Sequence, residues 1–148
     1  ETVARHIRVL VDAGIPVMGH LGLTPQSVHA LGGFRVQGRD AGTAERLKAE
    51  ATRLEEAGCF AIVLELMPSA LAAEISRAVG IPTIGIGAGP DVDGQVLVLP
   101  DMLGLNEGFQ PRFLRRFADL AGAVRDGVAD YVAGVRGGEY PGPEHGFE

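Results

Sequence analysis

The chain carries one apolar run that ends on a carboxylate, CFAIVLELMP at residues 59–68. A short continuous run rich in Ile, Val and Phe predicts a strand that is buried on both faces, as in a parallel sheet. Pro68 stops this strand, so Glu65 is expected at its carboxyl end. Sites in α/β folds are assembled at that end of the strands. Glu65 is therefore a candidate base, and a solvated or salt-bridged strand-end charge is the alternative.

Composition narrows the class of protein. The 148 residues suffice for one domain with a core, but they fall well short of the roughly 250 typical of a complete βα barrel. No apolar run approaches the ~20 residues that span a bilayer, so no membrane partner is expected. The net charge of −6 argues against a nucleic-acid partner and leaves small polar ligands or protein partners.

The single cysteine indicates a compartment. Cys59 lies inside the predicted strand and has no second cysteine in the chain to pair with. A reducing cytoplasm is therefore the expected location, with Cys59 as a small core residue. The first residues, ETVARH, lack the apolar segment of a signal peptide and are typical of the middle of a helix.

Upstream of the central strand, the pattern predicts a helix, a strand and a long loop. Apolar residues at helical spacing predict a helix before about residue 13, which Gly14 closes. Ile15 opens a short strand that would deliver His20 to its carboxyl end. The connection at residues 22–42, rich in glycine and polar residues, is expected to be functional or disordered.

The remaining segments continue the alternation of helices and strands. In order, they are a helix capped by Thr43 and closed by Gly58, a helix capped by Ser69 and ended by Gly80, strands at 82–87 and 95–99, and a helical region opened by Pro111. The C-terminal tail, residues 137–148, has little to bury and is expected to be exposed or packed on a neighbour.

This alternation predicts an α/β fold with parallel strands and right-handed crossovers. Four short buried strands amount to about half of a (β/α)8 barrel. Half a barrel leaves two open strand edges, which invite aggregation, so the other half is expected from sequence outside this chain or from another chain. A flavodoxin-like open sheet is the alternative, and it would need no missing part.

A glycine-rich turn, GIGAG at residues 85–89, is the second candidate site. The third glycine of a dinucleotide-binding G-x-G-x-x-G motif would fall on Pro90, and no helix follows in register, so an NAD site is not predicted. Gly85 and Gly87 would instead let the backbone pass close to a ligand at the strand end. The alternative is that they serve only a tight turn before Pro90.

His20 is the best-placed histidine, because it is expected at a strand end. A ligand contact is predicted there, and a hydrogen-bonded structural role is the alternative. The other histidines, His6, His29 and His145, lack the spacing of a zinc site. The basic run on the last helix is most simply a solvated face; it consists of Arg112, Arg115 and Arg116.

Further blocks of sequence extend over essentially the whole chain. They are GHLGLTPQSV at 19–28, GGFRVQGR at 32–39, VLE at 63–65, IPTIGIGAG at 81–89, DGQVLV at 93–98 and YPGPEHGF at 140–147. In this order they resemble the signature of the ketopantoate hydroxymethyltransferase family. Many separate blocks in the right order are far more specific than any one short motif.

The resemblance implies the C-terminal half of a (β/α)8 TIM barrel of the phosphoenolpyruvate/pyruvate superfamily type. The family transfers a hydroxymethyl group from 5,10-methylenetetrahydrofolate to 3-methyl-2-oxobutanoate, which gives 2-dehydropantoate for pantothenate biosynthesis. By resemblance, Glu65 matches the family's proton acceptor and His20 a histidine of the substrate pocket. The turn with Gly85 and Gly87 would lie at the same mouth. A large homo-oligomer and a Mg2+ ion chelated by the 2-oxo acid are also implied.

The family's Mg2+-binding carboxylates and active-site lysine belong to the N-terminal half of the barrel, which the resemblance places outside this chain. No residue here is therefore expected to bind Mg2+, and residues 1–148 are expected to be the C-terminal portion of one barrel domain, inactive alone. Another Mg2+-dependent 2-oxo-acid lyase of the same superfamily and a non-catalytic half-barrel fragment are the alternatives.

Overall fold

A computed structural model describes residues 2–30, 32–108 and 110–147 of the chain. Contacts divide the chain into two compact units, Glu1–Val96 and Leu97–Glu148. Among the described residues, no helix combines the length and the apolar character needed to cross a membrane. The first unit carries the sheet and the candidate site residues.

The first unit is built on four parallel strands. Its elements are α1 (Thr2–Asp12), β1 (Met18–Gly22), α2 (Ala41–Glu56), β2 (Ala61–Glu65), α3 (Ser69–Ala78), β3 (Thr83–Ile86) and β4 (Gly94–Gln95), with a 3-10 turn at Pro25–Ser27. The strands lie in the sheet in the order β1-β2-β3-β4, which is also their order in the sequence. A flavodoxin-like sheet reverses its strand order, so this alternative is wrong. The prediction of an α/β fold with a parallel sheet is confirmed.

Helices α2 and α3 cover one face of β2. Ile62 and Leu64 are fully buried, and they share a core with Leu47, Ala51 and Leu54 of α2 and with Leu71, Ala72 and Ile75 of α3. Burial of each large aliphatic side chain stabilises the fold by about 1.5–3 kcal/mol. Because side chains alternate along a strand, Val63 and Glu65 face the opposite way. The core thus fixes β2 and presents Glu65 on the other face of the sheet.

The start of β3 is fixed by a buried polar network. Thr83 is fully buried, and its backbone N–H and its hydroxyl both donate to the Asp93 carboxylate, at 2.8 and 2.9 Å. Since that hydroxyl proton is used, the hydroxyl of Ser76, 2.6 Å away, is the donor to Thr83 Oγ1. The bonds from Thr83, its backbone N–H first, hold the pKa of Asp93 below its ordinary value. The loop between β3 and β4 is therefore tied to the beginning of β3.

Several predictions for the first unit are confirmed. The first helix ends at Asp12, Gly14 follows with a φ of +81°, and the central strand ends at Glu65. Cys59 precedes β2, so its placement inside the strand was wrong, but it is a buried free thiol as expected, and its burial raises the pKa of the thiol. A buried thiol with a raised pKa is a core residue with little nucleophilic character.

The predicted strand that ends at His20 is displaced. Pairing with β2 begins only at Met18, opposite Ala61, and β1 continues for two residues beyond His20 to Gly22. Ile15 is half exposed and Pro16 has no N–H to donate to a ladder, so neither belongs to the strand. His20 therefore lies in the middle of β1 and not at its end.

Both predicted N-caps are wrong. Asp40, not Thr43, caps α2, and its side chain accepts a hydrogen bond from the Thr43 backbone N–H at 2.8 Å. An aspartate three residues earlier satisfies the same orphan N–H groups and starts the helix sooner. Ser69 is the first residue of α3 and makes no capping bond, because Pro68 occupies the N-cap position.

The second unit begins where a strand was predicted at 95–99. Only Gly94–Gln95 pair with β3, and Leu99 instead begins a short helix, α4 (Leu99–Met102). Pro100 lies in the first turn of α4, where its fixed φ favours a helix start. A short apolar run is compatible with either a strand or a helix. The strand prediction was wrong because the proline that directly follows this run decides in favour of a helix.

The last helix, α5 (Leu120–Gly137), begins nine residues after the predicted start at Pro111. Before it, the backbone N–H of Phe117 donates to the carbonyl of Met102, a contact distant in sequence that replaces a helical hydrogen bond. At the start of α5, the Leu120 N–H donates to the Leu103 carbonyl. Asp119 then caps α5 by accepting the Gly122 N–H at 3.1 Å. The run Arg112, Arg115 and Arg116 precedes the helix, so its assignment to a helical face was wrong.

The C-terminal tail packs back on α5. Gly138 ends the helix in the left-handed region, and the N–H groups of Glu139 and Tyr140 bond to the carbonyl of Gly134. The Tyr140 ring lies 5.6 Å from that of Tyr131 and 4.9 Å from that of His145, which belongs to a 3-10 turn at Pro143–His145. Of the predicted tail 137–148, Glu148 lies outside the described residues.

Candidate active site

Glu65 ends β2 between two neighbouring strands. The sheet register places it beside Gly22 of β1 on one side and Ile86 of β3 on the other. Its side chain is 21% exposed, so it is reachable and partly desolvated. The predicted position of the candidate base, at the carboxyl end of a parallel sheet, is therefore confirmed, whereas its catalytic role stays a prediction.

The structure brings His20 and Glu65 together. His20 pairs with Val63, two residues before Glu65, so both side chains rise from the same face of the sheet. His20 Nε2 lies 2.9 Å from Glu65 Oε2. An ionised carboxylate can only accept, so Nε2–H is the donor to Oε2. Among the described residues, no donor is bonded to Oε1. The register between β1 and β2, with His20 opposite Val63, therefore brings the two side chains into contact.

The backbone around Glu65 is held from three sides. The Leu23 N–H donates to the Glu65 carbonyl, the Leu66 N–H donates to the Ile86 carbonyl, and the Gln37 N–H donates to the Leu66 carbonyl, each at 2.9 Å. Leu66 adopts a φ of +49°, in the left-handed region that costs a residue with a Cβ about 1–2 kcal/mol. These three bonds sustain the turn that follows the candidate base.

Gly22 allows β1 to approach that turn. A Cβ atom at Gly22 would lie 2.0 Å from the Glu65 carbonyl oxygen, and its φ is +91°. Both facts exclude a side chain. Sequence reasoning treated Gly22 only as the start of a loop, and a glycine directly after a strand was the signal that could have identified it.

The glycine turn lies after β3. Gly85 is inside the strand, opposite Leu64, and a Cβ there would meet Val92 Cγ2 at 2.9 Å on the face that carries the core. Only its backbone could contact a ligand. Gly87 follows the strand end with a φ of +62°, next along the chain from Ile86, the partner of Glu65. A substrate contact by either glycine stays a prediction.

A polar cavity adjoins His20. Its volume is about 160 Å3, and it lies between β1, the following loop and α2. Sequence reasoning missed its polar lining residues, which are Thr24, Ser27, Gln37, Arg46 and Glu50. The length and polarity of the loop at 22–42 were the signal for Thr24, Ser27 and Gln37, whereas Arg46 and Glu50 belong to α2 and had no such signal.

The residues present do not form a magnesium site. Within the described ranges, no three His, Cys, Asp or Glu residues lie close enough together to hold a metal ion. Mg2+ requires near-octahedral oxygen coordination, and this edge of the sheet offers the carboxylate of Glu65, one oxygen of which already accepts from His20. His145 lies in the other unit, where its Nδ1 accepts from the Gly142 N–H.

Comparison with known proteins finds one family and relatives that share one activity. Residues 1–143 match the family model described as ketopantoate hydroxymethyltransferase. The chain is 55% identical to 3-methyl-2-oxobutanoate hydroxymethyltransferase of Syntrophotalea carbinolica, over 99% of the chain and 55% of the relative. The corresponding proteins of Oleidesulfovibrio alaskensis and Chlorobaculum parvum are 57% and 52% identical, over 99% of the chain and 51% and 53% of their own lengths.

The chain thus spans about half the length of the curated relatives it matches. The family match covers nearly all of it, and the strand, loop and glycine blocks that surround the His20–Glu65 pair lie within that match. By this match, the chain belongs to the ketopantoate hydroxymethyltransferase family.

Proposed function

We propose that the protein to which these residues belong transfers a hydroxymethyl group from 5,10-methylenetetrahydrofolate to 3-methyl-2-oxobutanoate and forms 2-dehydropantoate, a step of pantothenate biosynthesis. The observation that carries the proposal is the His20–Glu65 pair, in which His20 of mid-β1 contacts Glu65 at the carboxyl end of β2. Relatives more than half identical to this chain are 3-methyl-2-oxobutanoate hydroxymethyltransferases, which supports the choice of the 2-oxo acid.

In this reaction Glu65 is the general base. It removes the C3 proton of the 2-oxo acid, and the electron pair of the broken C–H bond moves toward the carbonyl oxygen to give an enolate. His20 holds Oε2 through Nε2–H, which orients the carboxylate and leaves Oε1 to take the proton. The enolate carbon then forms a bond to the one-carbon unit of the folate. Both C–N bonds of that unit break, water supplies the hydroxyl oxygen, and the C3 proton and one water proton end on the two nitrogens of the released tetrahydrofolate.

The proposal places residues 1–148 in the C-terminal half of a (β/α)8 barrel. Four parallel strands in sequence order and a chain that spans half of its relatives support this arrangement. Mg2+ would be held by ligands outside this chain, where it would stabilise negative charge on the enolate oxygen. We also propose a cytoplasmic homo-oligomer, and the low cysteine count of these residues, with Cys59 alone, fits a reducing compartment.

The test is the substitution Glu65→Gln in a chain of the relatives' full length. The amide cannot accept the proton, so exchange of the C3 proton with deuterium from solvent should fall at least roughly a hundredfold. Binding of the 2-oxo acid, measured by calorimetry, should persist. Glu56→Gln, an exposed glutamate at the end of α2, is the matched control and should exchange normally.

Normal exchange in Glu65→Gln would remove Glu65 from its role. Turnover of the 2-oxo acid without folate by the unsubstituted enzyme would indicate a lyase of the same superfamily. Absence of any exchange in the full-length chain would favour a non-catalytic role.

A further inference from the structure

The block GGFRVQGR at residues 32–39 has no role in the reaction as described so far. Residues 32–37 of this block form an arm. The arm lies in the connection between β1 and α2, and its last residue, Gln37, donates its N–H to the Leu66 carbonyl beside the candidate base. The arm is therefore fastened to the turn that follows Glu65.

The backbone of the arm is held at several points. The Gly33 N–H donates to the Val28 carbonyl at 2.8 Å, and the Arg35 N–H donates to the Gly33 carbonyl at 2.9 Å. The Gln37 side chain donates to the Arg35 carbonyl at 2.9 Å. Beyond the arm, Gly38 is packed so closely that a Cβ atom would lie 2.4 Å from Leu71 Cδ2. The arm is thus a fixed platform.

The largest side chains of the arm project from this platform into solvent. Phe34 is 77% exposed, and Arg35 is exposed next to it. Arg39 is also exposed, whereas Asp40, the following acid, is engaged as the cap of α2. An aromatic ring beside guanidinium groups, on a chain of net charge −6, is suited to a ligand with a planar ring and negative charges.

The distance along the chain agrees with a role at the site. Phe34 is three residues from Gln37, so their Cα atoms are at most roughly 10 Å apart. Gln37 itself contacts the residue after Glu65. Phe34 therefore lies near enough to the turn after Glu65 for a ligand of the size of a folate to contact both.

We propose that the arm binds the folate co-substrate, with Phe34 stacked on the pteridine ring and Arg35 close to the carboxylates of the glutamate tail. This inference rests on the proposed function and adds the residues that recognise the one-carbon donor. The 2-oxo acid is bound elsewhere, on the side of His20 and Glu65.

The experiment measures steady-state kinetics of Phe34→Ala and Phe34→Tyr in a chain of the relatives' full length. Loss of one aromatic stacking contact should raise KM for 5,10-methylenetetrahydrofolate about tenfold in Phe34→Ala. KM for the 2-oxo acid and the exchange rate of its C3 proton should stay unchanged, because enolate formation does not involve folate. Phe34→Tyr retains the ring and should restore the folate KM.

Phe60→Ala is the matched control. Phe60 is a half-exposed phenylalanine at the opposite end of the sheet, directly before β2, and its loss should leave the folate KM unchanged. In a second measurement, Arg35→Ala should lower the preference for a triglutamate over a monoglutamate co-substrate about threefold.

Two results would overturn the inference while the proposed function stands: an unchanged folate KM in Phe34→Ala, or a KM for folate raised equally by Phe60→Ala. A change in particle mass in Phe34→Ala, with both KM values altered, would assign the arm to contact with a second copy of the chain. If the unsubstituted enzyme forms no product with folate, the proposed function itself fails.

Discussion

At the scale of single residues, Glu65 depends on atoms that belong to other elements. Its carbonyl accepts from Leu23, the next residue is held in the left-handed region, and Gly22 passes so close that no side chain fits. The position of the carboxylate is therefore set by backbone contacts and not by a charge partner alone. His20 adds one hydrogen bond to the carboxylate itself.

Gly22→Ala tests this dependence, with Gly14→Ala as its control. Both glycines have a φ near +80° to +90°, but a Cβ at Gly14 would meet nothing within 4 Å. Gly14→Ala should thus lose about 1 kcal/mol of unfolding free energy, the cost of the backbone conformation. Gly22→Ala should lose about 3 kcal/mol or more, because its Cβ also collides with the Glu65 carbonyl. Urea unfolding measures both, and equal losses would refute the close approach.

Sequence alone identified Glu65 but not its partner. An apolar run that ends on a carboxylate has a local pattern, so the end of β2 could be predicted from period and composition. The contact with His20 depends on the register between β1 and β2, which starts at Met18 and Ala61. Register is set by packing across strands, and nothing local in residues 15–20 specifies it.

At the scale of elements, the helices were easier to detect than their starts. The apolar spacing in residues 44–57 predicts α2, yet the cap is Asp40, because aspartate and threonine are both good caps and both precede the helix. The strand predicted at 95–99 failed for a different reason. Its residues are apolar enough for a strand, but Gln95 alone of them pairs with β3, and the contact ends where the Val96 N–H donates to the Gly85 carbonyl.

The cap of α2 makes a prediction about acid stability. Hydrogen bonds from Thr43, its backbone N–H first, hold the pKa of Asp40 below its ordinary value near 4. A lowered pKa in the folded state means that the charged cap stabilises α2 above about pH 4 and that this stabilisation is lost as the pH falls through the folded-state pKa.

Two variants separate the charge of this cap from its hydrogen bond. Asp40→Asn retains a capping oxygen without the charge, so its midpoint of thermal unfolding should lie below that of the unsubstituted chain at pH 7 and approach it at pH 3. Asp40→Ala removes the cap, so its midpoint of thermal unfolding at pH 7 should be the lowest of the three chains. Circular dichroism at 222 nm gives the midpoints. A gap between Asp40→Asn and the unsubstituted chain that does not narrow with acid would contradict the assignment.

At the scale of the whole molecule, β1 lies at one end of the described sheet. The Val17 carbonyl and the Leu23 N–H both point toward β2 and form hydrogen bonds on that side. Along a parallel strand, the backbone groups of successive residues point alternately to one neighbour and to the other. The N–H groups of Met18, His20 and Gly22 therefore face the outer edge. A cavity of about 290 Å3 runs along this edge and is lined by His20 and Leu21 of β1 together with residues of α1 and α2.

If a further barrel strand covers this edge, as the proposed half barrel requires, hydrogen exchange will show it residue by residue. In the 148-residue chain, the amides of Met18, His20 and Gly22 should exchange fast, while those of Gly19 and Leu21, which face β2, stay protected. In a chain of the relatives' full length the first three should become protected too, because each gains a ladder hydrogen bond. Protection that appears in the short chain only at high concentration would mean that β1 edges pair between copies. Fast exchange at these three amides in the full-length chain would show that no strand adds to β1, and the half-barrel arrangement would then be wrong.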